Sequence, residues 1–207
     1  WAALTARVRG WARELGFDAC RFTTATPPTN ATRFQQWLAA QHHGEMAYLQ
    51  RNAHKRVDPQ QVLANAKSII TLAVSYAGGD REPETPHSAA NSQPATRNPQ
   101  PSGIVARYAR YNDYHQVVGE RLKKLTNCVN QLGGEGTRSL WYVDTGPLLE
   151  RDLAERAGLG FIGKHTNLIS RQLGNWIILS EIITTLELEP DAPEKNRCGK
   201  CARCISV

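Results

Sequence analysis

The chain has 207 residues, of which 41% are hydrophobic and 21% charged, which is typical of a folded globular protein and excludes a disordered or fibrous one. Its net charge of +6 favours a polyanionic partner, although a bland basic surface gives the same balance. No apolar run approaches the roughly 18 residues that a membrane span needs, and the start shows no secretory signal. We therefore expect a cytoplasmic protein without a membrane segment. The absence of an initiator Met suggests that native residues precede Trp1.

The N-terminal third predicts two helices and a strand. Residues 17–23 are apolar and branched and predict a short strand. A second helix is expected from about Asn30 to His43, with Phe34, Trp37 and Leu38 facing inward. Before the strand, apolar residues spaced by three and four predict a first helix with one buried face, which Gly16 ends. They are Trp1, Leu4, Val8, Trp11 and Leu15.

The middle of the chain predicts a buried strand followed by a long polar segment. Asp58 followed by Pro59 is typical of a capped helix start. Residues 68–76 are nearly all apolar and predict a buried strand. Residues 78–103 are rich in Pro, Ser, Asn and Gln, and we expect a flexible surface excursion within one domain.

The second half mixes helices and strands without strict alternation. Residues 112–132 predict an amphipathic helix that ends at Gly133, and residues 140–143 predict a strand. Residues 146–157 predict a further helix, and residues 176–188 predict one long strand or two. This pattern favours an α+β layered domain over residues 1–190, followed at 191–207 by the beginning of a small, ferredoxin-like cluster domain.

Three of the five cysteines fall within seven residues near the end of the chain. Cys198, Cys201 and Cys204 have the C-x2-C-x2-C spacing that lets three thiolates bind one 4Fe-4S cluster, with a fourth Cys expected one position beyond Val207. Zinc with a distant fourth ligand and unrelated free thiols remain alternatives. The isolated Cys20 and Cys128 fit small buried apolar residues.

An ordered set of motifs resembles the signature of the epoxyqueuosine reductase family over nearly the whole chain. The acid-containing motif, usually Asp-Ser-Ala-Pro, is here Asp144-Thr145-Gly146-Pro147 and continues to Arg151. The other motifs are Ala106-Arg107-Tyr108-Ala109, Asp113-Tyr114-His115, the glycine-punctuated run from Ala157 to Ile169, and the closing cysteines, with His43-Gly44-Glu45-Met46 and Arg56 upstream.

The resemblance implies a cobalamin-dependent oxidoreductase that reduces epoxyqueuosine to queuosine in the tRNA anticodon loop. It implies a corrinoid domain, a layered α/β sandwich similar in fold to flavin nitroreductases and reductive dehalogenases. The complete protein then carries two 4Fe-4S clusters, takes electrons from a donor protein or reductant, and is a monomer. Because only part of the cluster ligands is present here, we expect the 207-residue piece by itself to be inactive.

Asp144 is the general acid that the family's motif implies. Reductive opening of an epoxide requires electrons at carbon and a proton for the departing oxygen, and a cob(I)alamin centre supplies only the first. A carboxylic acid that stays protonated by burial against the corrin can supply the second. The residue types alone also fit a simpler role, in which Asp144 caps a helix that begins at Gly146-Pro147.

The family's motifs also imply the residues that contact the corrin. Taken alone, the glycine-rich run is an irregular strand connection, Arg56 is a solvated member of a basic run, and Tyr114 and His115 are structural at a helix start. We assign His165 no role in coordinating cobalt. The implied contacts are Arg56, Ala106, Asp144, Gly163, Lys164, His165, Asn167 and Ile169.

Basic residues near the long amphipathic helix are candidates for contacts with tRNA phosphates, although such a helix carries charges on its solvated face anyway. They are Arg107, Arg110, Arg121, Lys123 and Lys124. Other functions stay open: a corrinoid reductive dehalogenase, a flavin-dependent reductase, or an iron-sulfur electron carrier. An absorption spectrum that shows cobalamin rather than flavin would separate the flavin-dependent reductase and the electron carrier from an epoxyqueuosine reductase.

Overall fold

The computed structural model describes residues 1–77 and 105–205, so the predicted 78–103 excursion lies outside the described residues. Two short 3-10 helices span Pro59–Gln61 and Arg107–Arg110. The α-helices are α1 Ala2–Glu14, α2 Ala31–Ala39, α3 Ala47–Arg51, α4 Ala53–Val57, α5 Tyr114–Gly133 and α6 Glu150–Arg156. The strands are β1 Ala19–Thr24, β2 Ser68–Ser75, β3 Ser139–Tyr142, β4 Phe161–Ile162, β5 Leu168–Ile169 and β6 Ile177–Thr184.

A four-stranded sheet forms the centre of the fold. Its order is β1-β2-β6-β3, and every neighbouring pair is antiparallel. The apolar strand β2 is buried along most of its length because it lies between β1 and β6 and is covered on both faces. Strands β4 and β5 form a separate hairpin. The predicted α+β class is confirmed.

Helices α1 and α5 cover one face of the sheet. Leu122 of α5 and Val8 of α1 are fully buried in one cluster with Phe22, Ile70 and Ile182 of the strands. The periodic apolar residues of α5 therefore form the core side of that helix, as their spacing predicts. Burying each such side chain stabilises the fold by about 1.5 to 3 kcal/mol.

Helix α6 covers the other face of the sheet. Leu153 packs with Ile69 and Ile183, and Leu148 joins this cluster from the segment before the helix. A third cluster contains Ala154 of α6, Ala73 of β2, Leu168 of β5 and Leu159, which precedes the hairpin. The hairpin is thus held against α6 by apolar packing.

Side-chain hydrogen bonds fasten α6 to the β1–α2 connection. Asp152 accepts hydrogen bonds from the backbone N–H groups of Thr29 and Asn30 at 2.9 and 2.8 Å. Arg156 donates to the carbonyl oxygens of Thr24 and Pro27 at 2.7 and 2.8 Å. A partly buried guanidinium that binds several carbonyls fixes the position of a helix of only seven residues.

Several predicted boundaries are wrong for local backbone reasons. Trp1 is 72% exposed and does not belong to the buried face of α1. Helix α2 ends at Ala39 rather than His43, and Gln41 has a φ of 57° that is incompatible with a continuing helix. Helix α6 begins at Glu150 rather than Gly146. Residues 176–188 contain one strand, Ile177–Thr184.

Two other expectations concern the organisation of the whole chain. No helix within residues 1–77 and 105–205 has the length and hydropathy needed to cross a membrane. The division into a domain at 1–190 and a second one from 191 stays a prediction. Residues 191–197 contact the layered domain, since Asp191 pairs with Arg9 at 2.8 Å and Asn196 donates to the carbonyl oxygen of Ile162 at 3.0 Å.

Candidate active site

Asp144 lies on an irregular segment between β3 and α6. Its φ of 59° is in the left-handed region, which Asp tolerates better than most residues, and its side chain is 62% exposed. The Tyr114 hydroxyl donates a hydrogen bond of 2.6 Å to Oδ2 of Asp144. The carboxyl group is therefore held in place and still accessible from outside. Asp144 does not cap α6, whose N-cap residue is Leu149.

The beginning of α5 supplies the neighbours of Asp144. Asp113 caps the helix by accepting from the His115 backbone N–H at 2.9 Å, and it also contacts Nδ1 of His115 at 2.9 Å. The hydrogen bond to the His115 side chain lowers the pKa of Asp113. Nε2 of His115 is 3.9 Å from Oδ2 of Asp144. Burial, and then the bond to Asp144, raises the pKa of Tyr114, so its hydroxyl remains a donor.

A row of aromatic rings extends from Asp144 along the surface. The ring centroids of Tyr114 and Tyr108 are 5.9 Å apart, those of Tyr108 and Tyr76 6.2 Å, and those of Tyr76 and Trp176 5.8 Å. Tyr108 and Trp176 are 44% and 43% exposed. The Arg107 guanidinium lies over the Trp176 ring, 4.9 Å from its centroid. Exposed aromatic surface of this extent next to a carboxyl group is typical of a binding site.

Two further carboxyl groups lie beneath Asp144. Glu181 of β6 is fully buried, and Glu150 at the start of α6 is partly buried. Burial and then the charge of Asp144 raise the pKa of Glu150 to about 7, against the opposing effects of Arg56, the Asp144 backbone and the Glu181 side chain. Burial also raises the pKa of Glu181. Both groups therefore retain protons at a pH where an exposed Glu is ionised.

Arg56 belongs to the same region. It donates a hydrogen bond of 2.9 Å to the Leu148 carbonyl oxygen, and the charge of Glu150 faces it. Its Nε is buried without a partner among the described residues. Arg56 is thus a partly buried residue next to the Asp144–Glu150 segment, not a solvated member of its basic run.

The glycine-punctuated run forms the β4–β5 hairpin. Gly163 donates to the Asn167 carbonyl oxygen at 2.9 Å, and a Cβ on Gly163 would collide with the side chains of Ile169 and His165. Gly163 is therefore required by the packing of its own loop. Lys164 and Asn167 are exposed at the hairpin tip. The tip is tied to α6, because Arg151 donates to the Thr166 carbonyl oxygen at 2.7 Å.

The three clustered cysteines lie on a short turn beyond the hairpin. Cys198 is half-buried, and Cys201 and Cys204 are exposed. Within the ranges that the structure describes, no three His, Cys, Asp or Glu side chains converge as a metal site. The Lys164 ammonium donates to the Cys201 carbonyl oxygen at 2.9 Å, which joins this turn to the hairpin.

A surface cavity lined by described residues lies elsewhere. Its volume is about 440 Å³, and it lies beside β1 and Gly158 with Arg21, Arg171 and Glu194 in its lining. Neither this cavity nor a smaller one beside Arg13 and Phe17 is lined by a residue predicted for the site. We therefore base the candidate site on the exposed Asp144 region, where the aromatic rings and carboxyl groups meet.

Comparison with known proteins finds relatives that share one name. A family model described as Epoxyqueuosine reductase QueG, DUF1730 matches residues 56–145. The epoxyqueuosine reductase of Gloeobacter violaceus is 39% identical over 100% of this chain and 60% of its own length, and that of Leadbetterella byssophila is 34% identical over 97% of this chain and 61% of its own length. Almost the whole chain is similar to epoxyqueuosine reductases. It spans about three fifths of the length of these two relatives.

Solved structures agree with this similarity. Epoxyqueuosine reductase from Streptococcus thermophilus superposes with a TM-score of 0.77 at 30% identity, over 97% of this chain and 51% of that chain. A catabolic reductive dehalogenase superposes with a TM-score of 0.56 at 17% identity, over 97% of this chain and 22% of that chain. The second match shows the fold alone, and it confirms the predicted likeness to reductive dehalogenases.

The residues predicted for an epoxyqueuosine reductase site fall into three groups. Asp144 and Arg56 flank one segment, which Arg56 binds at Leu148. Ala106 precedes the 3-10 helix that carries Tyr108. The remaining predicted corrin contacts lie on the β4–β5 hairpin and its tip, and they are Gly163, Lys164, His165, Asn167 and Ile169. Their roles stay predictions.

The five residues of the predicted basic stretch differ in their contacts. Arg121 donates to the Gly16 carbonyl oxygen at 2.7 Å, and Arg107 donates to the Ala77 carbonyl oxygen at 2.6 Å. Arg110 donates to the Val105 carbonyl oxygen at 3.0 Å. Lys123 and Lys124 are exposed on α5. Three of the five cations therefore also have structural bonds.

Sequence reasoning missed Glu181, Glu150 and the aromatic row. A single Glu within the otherwise apolar strand β6 is a signal that could have revealed the buried carboxyl. The aromatic row has no such signal, because Tyr76, Tyr108 and Trp176 are far apart in the chain and meet only in the folded structure.

Proposed function

We propose that the full-length protein reduces epoxyqueuosine to queuosine in the anticodon loop of tRNA. The observation that carries this proposal is the similarity of almost the whole chain to epoxyqueuosine reductases. A solved epoxyqueuosine reductase contains an epoxyqueuosine-modified tRNA-Tyr stem loop. The Bacillus subtilis enzyme has been solved with its catalytic aspartate loop swung out of the active site. Asp144, on an exposed segment with a left-handed backbone, fits such a loop.

The surface beside Asp144 fits a corrinoid cofactor. A corrin is a broad, flat ring with amide side chains, and the exposed rings of Tyr108 and Trp176 offer it apolar surface. Lys164 and Asn167 at the hairpin tip offer hydrogen-bond donors for the amides of the corrin. Arg56, which binds the Leu148 carbonyl oxygen in the segment after Asp144, offers a further donor. We assign these residues, with Ala106, Gly163, His165 and Ile169, to the cofactor. When bound and reduced, cobalamin supplies the electrons for the reaction.

The chain's own residues supply the proton. Asp144 donates a proton to the departing epoxide oxygen, which otherwise leaves as an unstable alkoxide. The Tyr114 hydroxyl positions Asp144 through its 2.6 Å bond, and His115 adds a second polar neighbour 3.9 Å away. The exposed carboxyl group would be shielded from water once cofactor and substrate cover it.

The electron supply and the tRNA contacts complete the proposal. Cys198, Cys201 and Cys204 supply thiolates to a 4Fe-4S cluster, and their turn is linked to the hairpin by Lys164. A second cluster and a donor protein or reductant belong to the complete enzyme. Lys123 and Lys124 are exposed and fit contacts with tRNA phosphates.

The test uses the full-length protein, reconstituted anaerobically with cobalamin and iron-sulfur clusters. Nucleosides of epoxyqueuosine tRNA are analysed before and after incubation with a reductant, and conversion to queuosine is expected. Asp144→Ala should retain cobalamin in the absorption spectrum and lose turnover by about 100-fold or more, because the proton donor is removed. Wild-type turnover in this variant would exclude Asp144 as the acid. A flavin spectrum would overturn the cofactor assignment.

A further inference from the structure

Glu181 is an unusual residue for its position. It lies in the middle of an apolar strand and is fully buried, and no N–H or O–H group within residues 1–77 and 105–205 donates to either of its carboxyl oxygens. Leaving a buried polar group without a partner costs about 1 to 3 kcal/mol, and more for a charged one. A carboxyl group buried in this position therefore needs a neighbour with which it can share a proton.

The group that faces Glu181 is the carboxyl of Glu150. The two side chains interact directly, and Glu150 also accepts a hydrogen bond from the Asp144 backbone N–H. Two carboxyl groups form a hydrogen bond only when one of them carries a proton. The contact thus connects a proton-bearing pair in the core to the residue that we assign as the acid.

The surroundings of the pair contain few groups that could neutralise it. On the sheet, Glu181 is flanked by Thr71 of β2 and Tyr142 of β3, and the Thr71 hydroxyl is also buried without a partner in the described part of the chain. Burial raises the pKa of Tyr142, so its phenol is neutral. From α4, Arg56 is the cation that acts on Glu150, while Asp144 adds a negative charge. One Arg cannot balance three carboxylates, so a shared proton is the stable arrangement.

The reaction that we propose consumes more protons than Asp144 holds. Converting an epoxide to an alkene breaks both carbon–oxygen bonds, forms a carbon–carbon double bond and releases the oxygen as water. It takes up two electrons, from the low-potential reductant that feeds the enzyme, and two protons. Asp144 can give one proton and must then regain one.

We propose that the Glu150–Glu181 pair is a proton reservoir that returns Asp144 to its acid form during turnover. This inference rests on the proposed function. Asp144 protonates the oxygen when the first carbon–oxygen bond breaks. A proton from the pair then moves to the Asp144 carboxylate, which delivers it to the leaving oxygen as water forms. The pair keeps one additional negative charge until solvent restores its proton. Glu150 and Glu181 act through Asp144 and are positioning residues.

One part of the test needs neither cofactor nor substrate. Infrared spectra of the full-length protein at neutral pH should contain the carbonyl stretch of a buried protonated carboxyl group, which shifts in deuterium oxide. Glu181→Gln should weaken that band, and Glu135→Gln, which changes an exposed loop residue, should keep it at wild-type strength. A wild-type spectrum without the band overturns the reservoir, whatever the enzyme's substrate.

The kinetic part uses the reconstituted enzyme across a range of pH. Glu150→Gln and Glu181→Gln should each lower kcat roughly tenfold or more while KM for tRNA and cobalamin binding stay unchanged. Wild-type kcat should fall as pH rises through about 7, the value to which burial raises the pKa of Glu150, and Glu150→Gln should lose this fall. Variants with wild-type kcat and an unchanged pH profile would overturn the proposal. Absence of epoxyqueuosine turnover in the wild type would instead reject the proposed function.

Discussion

Replacing Glu150 with Gln is expected to change how stability depends on pH. Burial raises the pKa of Glu150 from 4.5 to about 7 in the folded chain. The folded state therefore keeps a proton that the unfolded chain releases above about pH 4.5. The stability linked to this proton is complete below that pH and is lost as the pH rises through about 7. Glu181, whose pKa is also raised by burial, acts in the same direction.

The size of this effect follows from the pKa shift. Each pKa unit corresponds to about 1.4 kcal/mol, so a shift from 4.5 to about 7 makes the folded state about 2 to 3 kcal/mol less stable at pH 8 than at pH 5. Gln cannot ionise. Between pH 5 and pH 8, the unfolding free energy of Glu150→Gln should therefore fall by about 2 to 3 kcal/mol less than that of the wild type. Removing the neighbouring charge also lessens the penalty on Glu181.

The assay is urea unfolding of the full-length protein without cofactor, followed by circular dichroism at pH 5, 6, 7 and 8. Glu135→Gln is the matched control, because Glu135 is exposed in the loop before β3 and should leave the wild-type slope unchanged. The reasoning is refuted if Glu150→Gln and Glu135→Gln show the same change in unfolding free energy between pH 5 and pH 8.

Three further substitutions test other parts of the fold. Gly158→Ala should destabilise by more than about 2 kcal/mol, since φ is 74° and a Cβ would collide with the Ala192 carbonyl oxygen. Gly136→Ala, at a φ of 83° in open space, should cost only about 1 to 2 kcal/mol, and equal losses in urea unfolding would exclude the collision. Arg156→Lys should lower unfolding free energy by about 2 to 3 kcal/mol, because its bonds to several carbonyls are lost, whereas the exposed Arg33→Lys should change it by less than about 0.5 kcal/mol. Tyr114→Phe should lower kcat roughly tenfold with cobalamin binding unchanged, and an unaltered kcat would remove its positioning role.

Hydrophobic periodicity predicts the regular parts of this fold. The spacing of Val118, Leu122, Leu125 and Val129 predicts α5, and all four are buried against the sheet. The Asp58 cap is also confirmed, because its side chain accepts a hydrogen bond from the Gln60 backbone N–H at 3.0 Å. These features depend on local chemistry that is written in adjacent residues, which is why they can be predicted.

The predicted boundaries differ from the structure where residues distant in the sequence determine the backbone conformation. Residues 146–149 match a helix start by composition, yet Leu148 is buried between β-strand residues and its carbonyl oxygen binds Arg56. These tertiary contacts delay α6 until Glu150. The site shows the same limit. The motif predicts Asp144 as a site residue, but its hydrogen bond to Tyr114 joins residues 30 positions apart and depends on the docking of α5.

The contacts of the Lys164 ammonium have a mechanical consequence. One end of the hairpin tip is tied to α6 through Arg151, and the other reaches the turn that contains Cys201. Ordering of the cysteine turn should therefore also restrict the motion of the hairpin tip. Loss of order in the turn should make the tip more mobile. In the proposed enzyme, occupancy of the cysteine turn by a cluster would therefore also help to order the hairpin tip that we assign to the corrin.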